Sequence, residues 1–182
     1  MKPLKSDEYP AIYSTYIETV VGDVMDELEE QILSFPAFID TIQEEKGTYR
    51  YAEDKWTIKE VIGHVLDNER IMAYRALRFA RNDMKEMHGY DQDYFVQNSR
   101  YNERTLDSLS KEFVLLRKSN MIFFQNLNDV ELERKGMAAE RLTSVKALLY
   151  VIAGHLNHHR IIIQERYFNN NDVKDLVSEL QH

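Results

Sequence analysis

No proline follows Pro36 in this chain of 182 residues, and only 6 glycines are spread along it. A fold of many short strands needs both residue types, because proline and glycine supply the backbone angles of tight turns. Their scarcity favours long helices, and four segments carry the matching pattern of apolar residues at three- and four-residue steps. The first begins at Asp23, a candidate N-cap, and runs through Leu28, Ile32 and Phe35 toward Ile42, with a kink expected at Pro36. The second opens on Thr57 and Glu60 in capping-box spacing, with Trp56 and Val61 placed as a hydrophobic staple. Its stripe continues through Ile58, Ile62, Val65, Met72, Ala76 and Phe79. The third runs from about Thr105 through Leu106, Leu109, Phe113, Leu116 and Phe123 to Leu127. The fourth runs from about Thr143 through Val145, Leu148, Ile152, Leu156 and Ile163 to about Phe168. The expected fold is all-α: a four-helix bundle over residues 23–182, preceded by an arm over residues 1–22 with a short helix around Pro10–Val20. A single domain of this size buries roughly two thirds of its unfolded surface.

Composition removes several function classes. The formal charge is -8, and no basic stripe offers the electrostatic footprint of a nucleic-acid binder. There are no cysteines, so disulfides and thiolate metal sites are excluded. No apolar run approaches the roughly 20 residues of a membrane span, and the first ten residues hold no signal-like apolar core. A soluble cytoplasmic protein is expected.

The link between the second and third helical segments, roughly Asn82 to Arg104, is long for a bundle. It contains Met-His-Gly-Tyr-Asp-Gln-Asp-Tyr-Phe, with Tyr90 and Asp91 among residues able to bond or stack on a ligand. Such a link permits a crossover connection. It either closes over a site at one bundle end or forms a surface loop packed by its own aromatics.

Three histidines carry the chemistry. His155 and His159 stand four residues apart, about 40° around a helix, and continue the buried stripe of the fourth segment. His64 lies beside the buried face of the second. One buried histidine is ordinarily a hydrogen-bonded core residue, but three in one domain each need a polar partner, and a shared divalent cation supplies it. Three nitrogen ligands leave an open coordination position, the pattern of a reactive rather than a structural metal, and they suit zinc, nickel or iron. Asp67 and Asn68, one turn beyond His64, are placed to orient its imidazole. His158 falls on the flank of the buried face and is expected as an outer neighbour. Among the arginines of the second helix, Arg75 alone shares the histidine side and is a substrate candidate. No Glu stands three residues before His64, His155 or His159, as the dinuclear carboxylate bundles require, and His-Glu-x-x-His is absent.

The stretch from Tyr49 to Arg81, with its Trp-Thr-x-x-Glu-x-x-x-His start, resembles the DinB/YfiT-like metalloprotein superfamily, as does Val151–Tyr167 with its His-x-x-x-His. The resemblance implies a bundle with crossover topology and a divalent metal held by His64, His155 and His159. It also implies chemistry on small molecules. Members include S-transferases and a maleylpyruvate isomerase that use low-molecular-weight thiols such as bacillithiol or mycothiol, and homodimers are frequent. The leading expectation is a small-thiol-dependent S-transferase. A metal-dependent hydrolase acting through water, or a non-catalytic metal-binding stress-response bundle, are the alternatives.

Overall fold

A computed structural model describes residues 3–168. The end of the expected bundle segment, 169–182, lies outside the described residues, and His182 with it. A 3-10 turn at Ala11–Tyr13 leads into α1 (Ser14–Ile17), followed by α2 (Val24–Asp40), α3 (Ile58–Ala80), α4 (Gln92–Gln97), α5 (Leu106–Gln125) and α6 (Asp129–Glu133). A two-stranded antiparallel hairpin, β1 (Lys135–Ala138) and β2 (Arg141–Ser144), then precedes α7 (Val145–Arg166). The four long helices are the four expected segments, and α2 continues through Pro36.

Side-chain caps start each of them. Asp23 accepts from the Met25 amide, Thr105 from Ser108 and Ser144 from Ala147. At α3 the reciprocal box forms: Thr57 Oγ1 accepts from the Glu60 amide at 3.1 Å, and Glu60 Oε2 accepts from the Thr57 amide at 2.7 Å. Such caps meet amides that have no partner inside the helix.

Around the bundle, α3 packs on α7 and α5, and α2 packs on α5 and α7. The pairings that join them give the directions. Tyr167, past the end of α7, bonds the Trp56 carbonyl just before α3, so α3 and α7 are antiparallel. Arg117 of α5 reaches Leu28 near the start of α2, while Leu106 at the start of α5 bonds Glu44 beyond the end of α2, so these two are antiparallel as well. Thr57 meets Asn102 and Glu69 meets Arg117, so α3 and α5 run parallel. Parallel neighbours need a connection that travels the length of the bundle. The long link supplies it, with α4 formed on the way.

The hairpin was not legible in the sequence. Its turn residues Ala139 and Glu140 have φ of 50° and 60°, the mirror-image two-residue turn that ordinarily advertises itself as Asn-Gly. At Gly136 a Cβ would stand 2.0 Å from the Phe79 ring, so only glycine lets β1 lie against α3. Met87 of the link bridges to the hairpin through Met87 N–Met137 O and Ala139 N–Met87 O bonds of 3.0 and 2.8 Å. The link is thereby stitched down rather than free.

The apolar core is split. One cluster holds Leu28, Met72, Phe79, Phe124, Leu148 and Ile152; the other holds Phe35, Ile62, Val65, Phe113, Leu156 and Ile163. Between them every long helix contributes polar groups: Gln31 from α2, His64, Asn68 and Glu69 from α3, Arg117 from α5 and His155 from α7, all buried. No helix among the described residues is long and apolar enough to cross a membrane.

Candidate metal centre

Within this polar layer the antiparallel pairing of α3 with α7 sets His64 opposite His155 and His159. His64 Nε2 is 3.0 Å from His155 Nε2, and His159 Nε2 is 3.2 Å from the same atom. One ligand atom from each of the three lies within 4.8 Å of the others. Zinc–nitrogen bonds of about 2.0–2.1 Å in tetrahedral geometry separate neighbouring nitrogens by roughly 3.3 Å, close to the two spacings seen. The three Nε2 atoms converge on one another, and His159 Nδ1 is buried with no hydrogen-bond partner. The donor set fits a divalent cation.

Electrostatics prepares the same role. Burial pushes the His64 imidazole from 6.5 down to about 4. His155 and His159 are held well below the usual imidazole value, first by burial and then by neighbouring imidazoles. All three are therefore neutral at pH 7, and a neutral imidazole has a lone pair to donate. The Trp56 ring stands 4.7 Å from that of His64, and Tyr16 stands 5.3 Å from His155.

The cluster opens on two sides. His155 borders a cavity of about 270 Å³ walled by Tyr13 and Tyr16 of the N-terminal segment, Asn68, Met72 and Arg75 of α3, Gly89 and Tyr90 of the link, and Ala139 and Arg141 of the hairpin. His159 borders a second cavity of about 390 Å³, lined by Tyr51, Lys55, Trp56, Asp93 and Tyr167.

Other sequence candidates fall in different places. Asn68 and Asp67 do not orient an imidazole, contrary to expectation. Side chains three and four residues on from His64 diverge toward other neighbours: Asn68 Nδ2 donates to Tyr90 Oη at 2.9 Å, and Asp67 bonds Tyr101. Arg75 and Tyr90 line the first cavity. Asp91 is exposed and caps α4 by accepting from the Tyr94 amide, outside both cavity walls. His158 is half-buried, its ring 5.2 Å from Tyr16 and from His159.

Tyr16 and Tyr101 escaped sequence reasoning, although each left a trace. Glycine immediately precedes both His64 and His155 inside a helix, where it marks a close approach. A Cβ at Gly63 would stand 2.2 Å from the Tyr101 ring, and one at Gly154 would stand 2.0 Å from the Tyr16 carbonyl oxygen. These glycines let the link and α1 close onto the helices that carry the histidines.

No curated protein matches the chain significantly. Solved structures share its fold, two of them as follows. YfiT from Bacillus subtilis, described as a probable metal-dependent hydrolase with an unusual four-helix bundle topology, superposes with a TM-score of 0.66 at 14% identity, over 91% of this chain and 89% of that one. A mycothiol-dependent maleylpyruvate isomerase superposes with a TM-score of 0.64 at 10% identity, over 81% of this chain and 62% of that one. This chain thus spans less than two thirds of the isomerase's length. The sequence model of the DinB superfamily matches residues 27–163, a stretch that takes in all three histidines, and the chain belongs to that superfamily.

Proposed function

We propose that the protein is a divalent-metal-dependent enzyme that transfers a small thiol to an electrophile. The observation that carries this reading is the convergence of three neutral imidazoles, with no carboxylate among them, at a point bordered by two cavities. A bound zinc, nickel or iron ion would supply Lewis acidity, lowering the pKa of a thiol or water that enters beside it. His64, His155 and His159 would hold the ion. The chain has no cysteine, so the sulfur must arrive on a cosubstrate. Tyr16 and Tyr90 stand in the wall of the first cavity, which His155 also borders. Burial raises the pKa of both phenols, so they stay protonated at neutral pH and can donate a hydrogen bond to substrate.

A hydrolase is the second reading, favoured by the likeness to YfiT, described as a probable metal-dependent hydrolase. The likeness to a mycothiol-dependent isomerase favours the thiol. Both readings use one cluster and differ in what enters it. Zinc- or nickel-loaded protein incubated with bacillithiol and monochlorobimane should form the bimane conjugate faster than the uncatalysed reaction, and His155→Ala should abolish the excess with the fold retained. Turnover of ester or amide substrates without any thiol requirement would replace the transferase by the hydrolase. No metal-dependent turnover of either kind would leave a non-catalytic metal-binding bundle. Assembly as a homodimer is part of the same proposal, and sedimentation measures it.

A further inference from the structure

Arg75 is 5% exposed, yet among the described residues no carboxylate lies within ion-pairing distance of it. Its guanidinium meets only the His88 carbonyl at 3.3 Å and the Met72 sulfur at 3.7 Å. Two weak acceptors for five N–H donors leave a buried cation far short of partners. The other buried arginine, Arg117, has a bidentate carboxylate, a carbonyl and an amide oxygen. Asn68 on the same cavity wall is 6% exposed, and its Oδ1 is buried with no partner.

Both residues stand on the row that begins at the metal centre. His64, Asn68, Met72 and Arg75 follow one another at four-, four- and three-residue steps, so they share one face of α3. His64 and Arg75 are about 16 Å apart along the axis. The Arg75 side chain leans back toward the helix start to reach Met72, and His155 borders the same cavity. A ligand lying in it would touch the metal centre with one end and Arg75 with the other.

We infer that this cavity binds substrates bearing a carboxylate several bonds from the reacting atom, with the carboxylate seated on the Arg75 guanidinium. The inference rests on the transferase or hydrolase reading for what happens at the other end, but not for the anion. A single buried guanidinium balances one negative charge. A dianionic phosphate would leave the second on neutral Tyr90, Tyr16 and Asn68, because Arg141, the other cation on the wall, is exposed and screened by solvent.

Calorimetry on the full chain tests this with defined probes. On zinc-loaded protein, 6-mercaptohexanoate should bind at least tenfold more tightly than 6-mercaptohexan-1-ol, and the gap should close in Arg75→Met and persist in part in Arg75→Lys. On metal-free protein, hexanoate should bind more tightly than hexan-1-ol, again only where Arg75 is present. Circular dichroism and zinc stoichiometry confirm that each variant is folded. Equal binding of the two thiols to zinc-loaded protein overturns the carboxylate site and leaves the thiol reading standing. Failure of both thiols on zinc, with Arg75-dependent hexanoate binding retained, sinks the thiol reading and supports the carboxylate site. A preference for inorganic phosphate over hexanoate, or carboxylate binding unchanged in Arg75→Met, overturns the inference.

Discussion

Two buried polar groups occupy one layer of this bundle, and they are finished differently. Arg117 and Glu69 are 0% and 2% exposed and complete one another: Nε and Nη2 donate to the two carboxylate oxygens at 2.8 and 2.9 Å. Gln31 and the Leu28 carbonyl take Nη1, Asn120 donates to Glu69, and Gln31 ties onward to Ala153 and Asn157 of α7. Few donors or acceptors in that network lack a partner. A few residues away, His64, His155 and His159 have one another, a stranded ring nitrogen and two bordering cavities. The closed network fixes which helices meet and in what register, whereas the open one is completed only by something added. Buried polar groups that satisfy themselves speak of architecture; those that do not speak of a ligand.

The largest expected effect separates the two. Arg117→Met strands the Glu69 carboxylate in the core and should cost about 3–5 kcal/mol of unfolding free energy, the range for breaking a buried pair. Urea denaturation reads the loss, and zinc stoichiometry in the folded fraction should be unchanged. A loss below about 1 kcal/mol would mean that the network contributes little to holding the four helices together.

Acid should act mainly on the open group. In the metal-free protein His64, His155 and His159 each have a folded pKa below the unfolded value of about 6.5. Below that pH the unfolded chain takes up protons that the native state refuses, so stability is full above pH 6.5 and falls as the pH drops toward 4. For His64, lowered to about 4, the loss approaches about 3 kcal/mol at 1.36 kcal/mol per pH unit. Denaturation midpoints between pH 7 and pH 5 should fall steeply in the wild type and less steeply in His64→Gln. Parallel slopes for the two proteins would show that His64 is not buried in its neutral form.

A smaller effect probes the wall of the first cavity. In Gly154→Ala the new methyl would meet the Tyr16 carbonyl oxygen and should displace α1 from α7, at about 1–3 kcal/mol for overpacking. Hydrogen exchange should rise in residues 11–19 while α3 and α5 keep their protection. Unchanged exchange there would mean that α1 does not depend on the close approach at Gly154.

The fold was legible because its signals are local and redundant. Stripes of apolar residues marked all four long helices, and Asp23, Thr57 and Thr105 marked three of their starts. Helical phase and the resemblance singled out the same three histidines, since positions four apart on one helix must face the same way. What stayed hidden depends on distant approach. Nothing in the sequence around Ala139 and Glu140 announces two successive left-handed residues. Asp67 and Asn68 sit near His64 in sequence, but the tyrosines they hydrogen-bond come from the link. The buried pairing of Glu69 with Arg117 joins residues 48 positions apart and has no local signature.

The most direct test of the account is zinc titration of the chelator-treated protein by calorimetry, beside His64→Ala, His155→Ala and His159→Ala. One equivalent per chain should bind to the wild type, and each substitution should weaken binding by more than the roughly 10–100-fold typical of losing a ligand's hydrogen-bonding neighbour. Zinc binding of undiminished affinity in all three variants would contradict it, because the cation would then be held by groups other than these imidazoles.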